Sequence, residues 1–472
     1  MNETLMLAAT CTAATVLLGT HTRLKPSLLV PLGIVTGVSV FVGVGTILLV
    51  VAETAPPIRT GAIACLGMLA IALVGRHRSD WRRIALGCAL AVGGITTIVL
   101  VVGWTSPTRL TPDSLRYIAA GDVFSEQGAF ARISRNVLLK RSTTTPLVHT
   151  LGQLDGRLYS PFVTPVVVGA GFVLTLIVLR DQLNDWRVPA RGVRWLTGFA
   201  VAFILASNRA LYDAFYVDSH GFVMVAFLVV VAGAFAMNHE PGWAIPVALA
   251  ASLIVLARAE GPAVAALGLL PAITVLSTTR ARVLLVLPAV LACLVWFGAG
   301  LLGRANPGDL SLLSDPASRG ALVGLGLLAI AGATTTLERW PLLPIPTLTV
   351  AMLAVVLGIS AIGHPSILVD AARATIVNMF GRGLWGTSWL VIVLLLVTTL
   401  RREAFPDAHV WFVPIVGYAI LYWLLPFLRG GAYRIGEGDS GNRVLAHVFL
   451  VCVVYLGLAF GRELTSTSEH RA

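Results

Sequence analysis

"TPDSLRYIAAGDVFSEQGAF", residues 111–130, places Asp113, Arg116, Tyr117, Asp122 and Glu126 together in a chain otherwise made for lipid. The 472 residues are 57% hydrophobic and only 12% charged, whereas a soluble domain carries roughly 25% charged residues. Apolar runs recur along the whole length. With no water in the bilayer core, every backbone N–H and C=O must be paired within the segment, so such runs cross as helices of about 20 residues. The reading is an all-α polytopic membrane protein, a single transmembrane domain over 1–472. It comprises four N-terminal helices (1–104), a long loop (105–160) and the remaining helical bundle (161–472).

Helices are expected near 4–19, 28–52, 60–75, 84–104, 161–179, 195–208, 219–237, 243–257, 262–278, 283–303, 320–335, 343–362, 384–400, 409–428 and 444–461. That makes fifteen crossings, or thirteen if the shortest do not cross. The start, "MNETLMLAATCTAATVLLGTHTRLK", has Glu3 and no basic residue before its apolar run. This order predicts an uncleaved first helix with its N-terminus outside rather than a signal peptide. Short basic loops mark the cytoplasmic side: "RHRSDWRR" at 76–83 and "RDQLNDWRVPARGVR" at 180–194 most clearly, with "HTRLK", "RAR" and "RR" in support. Loops 105–160, 209–218, 258–261, 304–319, 364–383 and 429–443 then face outward, and the chemistry is expected on that extracytoplasmic face of the cell membrane.

A loop as long as 105–160 is usually functional. Its first part should be a helix with Thr111 as N-cap and Pro112 at the first position. Its second, "AFARISRNVLLKR", reads as one helix lying in the interface plane, with Phe130, Ile133, Val137 and Leu138 near one face. Its third, "LDGRLYSPFVTP", re-enters the membrane through two prolines. Asp113 fits a first-turn residue that favours the helix dipole and equally a catalytic carboxylate. Arg132, Arg135, Lys140 and Arg141 suit phospholipid headgroups or a substrate phosphate.

Other polar clusters carry the same two-sided reading. Arg209, Asp213, Asp218 and His220 lie among aromatics in "NRALYDAFYVDSHGF". They form either an interfacial belt or a sugar platform. Arg258 and Glu260 stand between two short helices, as an ion pair holding a hairpin or as a functional pair. Charges near a bilayer centre cost ~2.5–3.5 kcal/mol on insertion scales and are functional by default. "RGGAYRIGEGDSGNR" at 429–443 offers Arg434, Glu437, Asp439 and Arg443 with five glycines that permit close backbone approach; it is a flexible turn or a closure over a phosphate. The five cysteines all lie in apolar runs and read as small buried hydrophobes. The nine histidines show no HxxxH pair, so no histidine metal site is expected. His364, His409 and His447 sit near helix ends, where interfacial hydrogen bonding accounts for them. The net charge of +11 is spread over many short loops, which argues against a nucleic-acid partner.

Taken in order, these segments resemble the GT-C class of polytopic glycosyltransferases. In that class an acidic residue heads the first large outer loop, with a Tyr about four residues on and then a small-residue helix, as Asp113, Tyr117 and "AAG" do here. An amphipathic helix follows, matched by "ARISRNVLLKR", and then a "G-x-x-Y" entry into the next helix, matched by "GRLYSPFVTP" and Tyr159. "LARAEGP" at 256–262 and "GDSGNRVLAHVFLV" at 438–451 match two later elements. Two features differ. The acidic loop follows the fourth apolar segment rather than the first, and Asp113 stands alone where many members carry two acids. Whether a divalent cation is used stays open; no protein metal site is expected.

The resemblance implies a GT-C-like bundle of about 13–15 crossings with interfacial helices in the first outer loop. It implies transfer of a sugar from a polyprenyl-phosphate donor to a cell-envelope glycan, lipid or protein acceptor. Asp113 would be the general base. Arg132, Arg135, Lys140, Arg258, Arg434 and Arg443 would hold the donor phosphate. Arg116, Tyr117, Asp122, Tyr159, Asp213, Asp218, His220, Glu260, Glu437 and Asp439 would line the substrate. The physical logic is independent of the resemblance: an acceptor hydroxyl needs a base, and a leaving phosphate needs fixed, forked positive charge. The competing classes are a transporter or flippase of a lipid-linked glycan or other solute, and an enzyme-free envelope scaffold. A transporter should carry ionisable residues in mid-helix; here they cluster at the outer ends.

Overall fold

The computed structural model describes residues 2–75, 80–105, 108–301, 316–336, 344–399, 405–436 and 439–469. Among these every regular element is helical, and the one β-contact is an isolated bridge between Arg109 and Tyr216. Nine described helices are long and apolar enough to cross a membrane. Five shorter apolar ones accompany them, among them His220–Ala236, Ser388–Thr399 and the helix that starts at Gly261. Each of the fifteen expected segments falls on a helix. The chain is an all-α polytopic membrane protein. Its apolar exterior fits that setting: Leu66, Ile71, Val74, Leu100 and Trp104 all point out of the bundle, a surface that water would penalise.

The helices close on each other where side chains are small. Helix Asn2–His21 packs on Pro26–Ala52 through Gly33 and Gly37. A Cβ at Gly37 would lie 3.0 Å from the Cys11 Cα. This is the small-residue spacing that lets membrane helices approach. At the centre stands His220–Ala236, buried on every side through Phe235. It packs against Val163–Asp185, Ala244–Val255, Gly261–Thr274 and Ser440–Glu469. A helix apolar all round has no solvent face to offer, so it serves as the axis, and its first residue, His220, is delivered into the polar end of the bundle.

The long loop folds into that end. Helix Pro112–Ser125 starts as the sequence predicts. Thr111 is the N-cap, its hydroxyl accepting from the Ser114 N–H (3.4 Å) while the Ser114 hydroxyl accepts from the Thr111 N–H (3.1 Å), and Pro112 occupies the first turn. The expected single helix over 129–141 is instead two, Ala129–Arg132 and Arg135–Arg141, with Ile133 and Ser134 extended between them. Phe130 and Ile133 are buried before or at the break and Leu138 and Leu139 after it; Phe130 meets Trp296, and Leu138 and Leu139 lie beside Gly300 of the same helix, Thr279–Leu301. A further helix, Thr144–His149, then plugs into the bundle. The Thr143 and Thr144 N–H groups both donate to the Leu256 carbonyl (3.0 and 2.9 Å). Helix Pro112–Ser125 crosses this plug at Gly121, where a Cβ would lie 2.6 Å from the Pro146 oxygen. The "AAG" signal therefore marks a helix crossing.

Candidate functional site

A cavity of about 430 Å³ opens between the long loop, the 258–260 break and the 429–443 loop. Asp113 stands at its edge. As the second residue of its helix it projects from the Thr111 cap, and both its oxygens are taken: Arg141 Nη2 donates to Oδ1 and Arg443 Nη2 to Oδ2, each at 2.8 Å. Arg141 ends helix Arg135–Arg141 and lies over the Tyr117 ring, 4.8 Å from its centroid. Arg443 belongs to the first turn of Ser440–Glu469 and also donates to the Tyr216 hydroxyl (3.0 Å), which pairs with the Thr111 hydroxyl at 2.5 Å. One carboxylate thus joins three elements. Burial alone would raise its pKa. The hydrogen bond from Arg443 and the charge of Arg141 outweigh that and hold the carboxyl well below the usual range.

The opposite wall is a second Arg–acid group. Arg258 Nε donates to Glu260 Oε1 (2.6 Å), and Arg429 Nη2 reaches the same oxygen at 3.5 Å. Burial pushes the Glu260 carboxyl up, but the Arg258 and Arg429 charges prevail and bring it to about 2. Between the walls lies Lys140, whose pKa is lowered by burial and then by Arg141, Arg258 and Arg429. Arg116 and Arg434 add to the lining. Asp439 also faces it, but its carboxylate is spent on backbone, accepting from the Arg434 N–H (3.1 Å) and the Gly441 N–H (2.6 Å). The described lining thus holds seven cationic and three acidic side chains, a formal excess of four positive charges. Guanidiniums in this number, partly dry, make an anion site, and their planar forks suit phosphate oxygens.

The residues read from sequence divide around this cavity. Asp113, Arg116, Lys140, Arg258, Glu260, Arg434, Asp439 and Arg443 line it. Tyr117 lies beneath Arg141, and His220 touches Arg258. Asp213 pairs with Arg209 in full burial, and Asp218 turns onto the His220 N–H at 2.8 Å. Burial, then Asp213, push the Asp218 carboxyl up. Three residues lie away from the cavity. Arg132 pairs with Glu126 on an exposed surface. Asp122 accepts from Gln153 at an exposed edge. Tyr159 packs against His149. The Arg135 side chain and Glu437 lie outside the described residues.

The sequence reading missed Arg429 and Tyr216, and it left Arg141, read as suiting headgroups or a phosphate, out of the residues that would hold the donor. It also placed His447 at an interface, whereas His447 is fully buried against His220. Both Asp113 oxygens face guanidiniums, and among the described residues no three His, Cys, Asp or Glu side chains gather as a ligand set. Set against known proteins, no family model, no curated protein and no solved structure matches the chain.

Proposed function

We propose that this protein is a membrane glycosyltransferase that takes a sugar from a polyprenyl-phosphate donor at the extracytoplasmic face of the cell membrane. The observation that carries the reading is Asp113, held between Arg141 and Arg443 at the edge of a cavity with seven cationic side chains. The donor phosphate sits among the arginines, and the acceptor is a glycan, lipid or protein of the envelope. The acceptor oxygen bonds to the anomeric carbon as its proton passes to Asp113. The carbon–oxygen bond to phosphate breaks, and the electron pair leaves on the phosphate, where fixed guanidiniums stabilise it. The low pKa of Asp113 is part of this scheme. A phosphate that draws Arg141 or Arg443 to itself removes charge from beside the carboxylate and strengthens the base as the donor seats.

Incubating the purified protein with a panel of polyprenyl-phosphate sugars, followed by mass analysis of products, tests this. Transfer from one donor is the expected result. No transfer from any donor, with movement of a lipid-linked glycan across vesicles, favours the second reading, a transporter or flippase. That reading draws on the break between Ala244–Val255 and Gly261–Thr274, which leaves Arg258 and Glu260 buried at two short helix ends.

A further inference from the structure

Behind the cavity, three polar side chains sit deep among apolar helices. His220 and His447 are 0% exposed and Tyr418 1%. Buried polar groups are costly unless every atom is satisfied. Here all are, in a chain with one direction. Arg258 Nη1 lies 3.0 Å from His220 Nε2. A guanidinium can only donate, so Nε2 accepts and the His220 proton is on Nδ1. That Nδ1–H donates to His447 Nε2 at 2.8 Å, so His447 also carries its proton on Nδ1. From there it donates to the Tyr418 oxygen at 2.8 Å. The Tyr418 hydroxyl in turn donates to the Val444 carbonyl at 2.6 Å.

Reading from the far end gives the same assignment. The single Tyr418 hydrogen is committed to Val444, so its oxygen must accept from His447. A second proton on either ring would set two donors face to face. The head of the chain is equally constrained: Arg258 Nη1 also reaches the Ser219 hydroxyl (3.3 Å), and Nε is held by Glu260. Only Nη2 has no partner among the described residues, on a side chain that lines the cavity.

We propose that His220, His447 and Tyr418 are positioning residues for Arg258: a relay that locks both histidines as neutral Nδ1–H tautomers and fixes the guanidinium toward a phosphate in the cavity. The phosphate end of this proposal rests on the functional reading above; the tautomers do not. The relay links residues 220, 258, 418 and 447, so it forms only when four elements have packed.

Two measurements on the full chain in lipid nanodiscs decide it. The first is 15N-histidine NMR of the unaltered protein. Two buried rings with protonated Nδ1 and bare Nε2 are expected; an Nε2–H tautomer or a cationic ring at either position overturns the relay. The second is a double-mutant cycle read as affinity for farnesyl phosphate. Arg258→Ala and His447→Phe should each weaken binding about 10-fold, the scale of one charge-assisted hydrogen bond. The double variant should be no weaker than Arg258→Ala alone, because His447 acts through Arg258. Losses that multiply toward about 100-fold would make His447 an independent structural residue and overturn the proposal. If the unaltered protein binds no farnesyl phosphate, the donor reading falls and the tautomer spectrum alone decides the relay.

Discussion

Asp113 and Asp213 both meet arginine, in opposite ways. Asp213 is bound by Arg209 from one turn earlier in the same short helix, at 2.9 Å and 3.3 Å, and both side chains are 0% exposed. Asp113 is 31% exposed, and its arginines come from 28 and 330 positions farther along the chain. The first pair is local, dry and closed. It settles a charge that the helix has carried into the bundle, and its loss would strand a buried partner. The second is assembled from distant elements and open to a cavity, so an entering anion can compete for its cations. For these two carboxylates, burial and the origin of the partner arginines together separate a closed structural charge from an available one.

Breaking the closed pair should have the largest effect. Asp213→Ala leaves Arg209 buried without its carboxylate and should cost ~3–5 kcal/mol of stability, seen as early thermal unfolding in detergent. Folded molecules should still bind farnesyl phosphate within about 2-fold of the unaltered protein, since neither Arg209 nor Asp213 lines the cavity. A loss under ~1 kcal/mol would erase the contrast with Asp113.

Opening the second pair should act on binding. Arg443→Ala should weaken farnesyl phosphate binding about 10- to 100-fold, the worth of a lost charged hydrogen bond. Arg443→Lys should recover only part, because an ammonium lacks the planar fork. Full recovery by Lys would reduce the site to bulk positive charge.

A smaller effect appears in pH dependence. The Asp113 carboxyl is depressed in the folded protein. Its pairing therefore stabilises fully above the unfolded value of ~3.9 and fades as pH falls toward the folded value. The stability difference between the unaltered protein and Asp113→Asn, about 1 kcal/mol for a partly exposed pair, should be constant from pH 5 to pH 8 and shrink only in stronger acid. A difference that already changes near pH 6 would mean that the arginines do not hold the carboxylate.

The smallest effect is expected at Arg132. Its exposed pairing with Glu126 predicts that Arg132→Ala shifts stability by less than ~0.5 kcal/mol and leaves farnesyl phosphate affinity unchanged. A 10-fold loss of affinity would move the phosphate along the loop to where the sequence reading had placed it.

The helices were legible because lipid leaves apolar runs of this length one backbone solution, and the Thr111–Pro112 start was legible because capping is local chemistry. The plug Thr144–His149 was not. "TTTPLVH" has no amphipathic period, and its burial depends on the Leu256 carbonyl more than a hundred residues away. In the site, Asp113, Arg258, Glu260 and Arg443 stood out as charges beside helix ends. Arg429 and His447 did not, since their place depends on which loops pack together. His447 looked interfacial from its position near a helix start, and only contact with a residue 227 positions earlier gives it a partner.

The central claim is that Asp113 takes the acceptor proton, and turnover by Asp113→Asn tests it most directly. Asn keeps the size of the side chain and leaves the Thr111 cap in place, so the variant should fold and bind farnesyl phosphate at least as well as the unaltered protein. Sugar transfer should fall by ~10²-fold or more, the contribution of a positioned general base. A folded Asp113→Asn protein that transfers sugar at a near-normal rate would contradict the account.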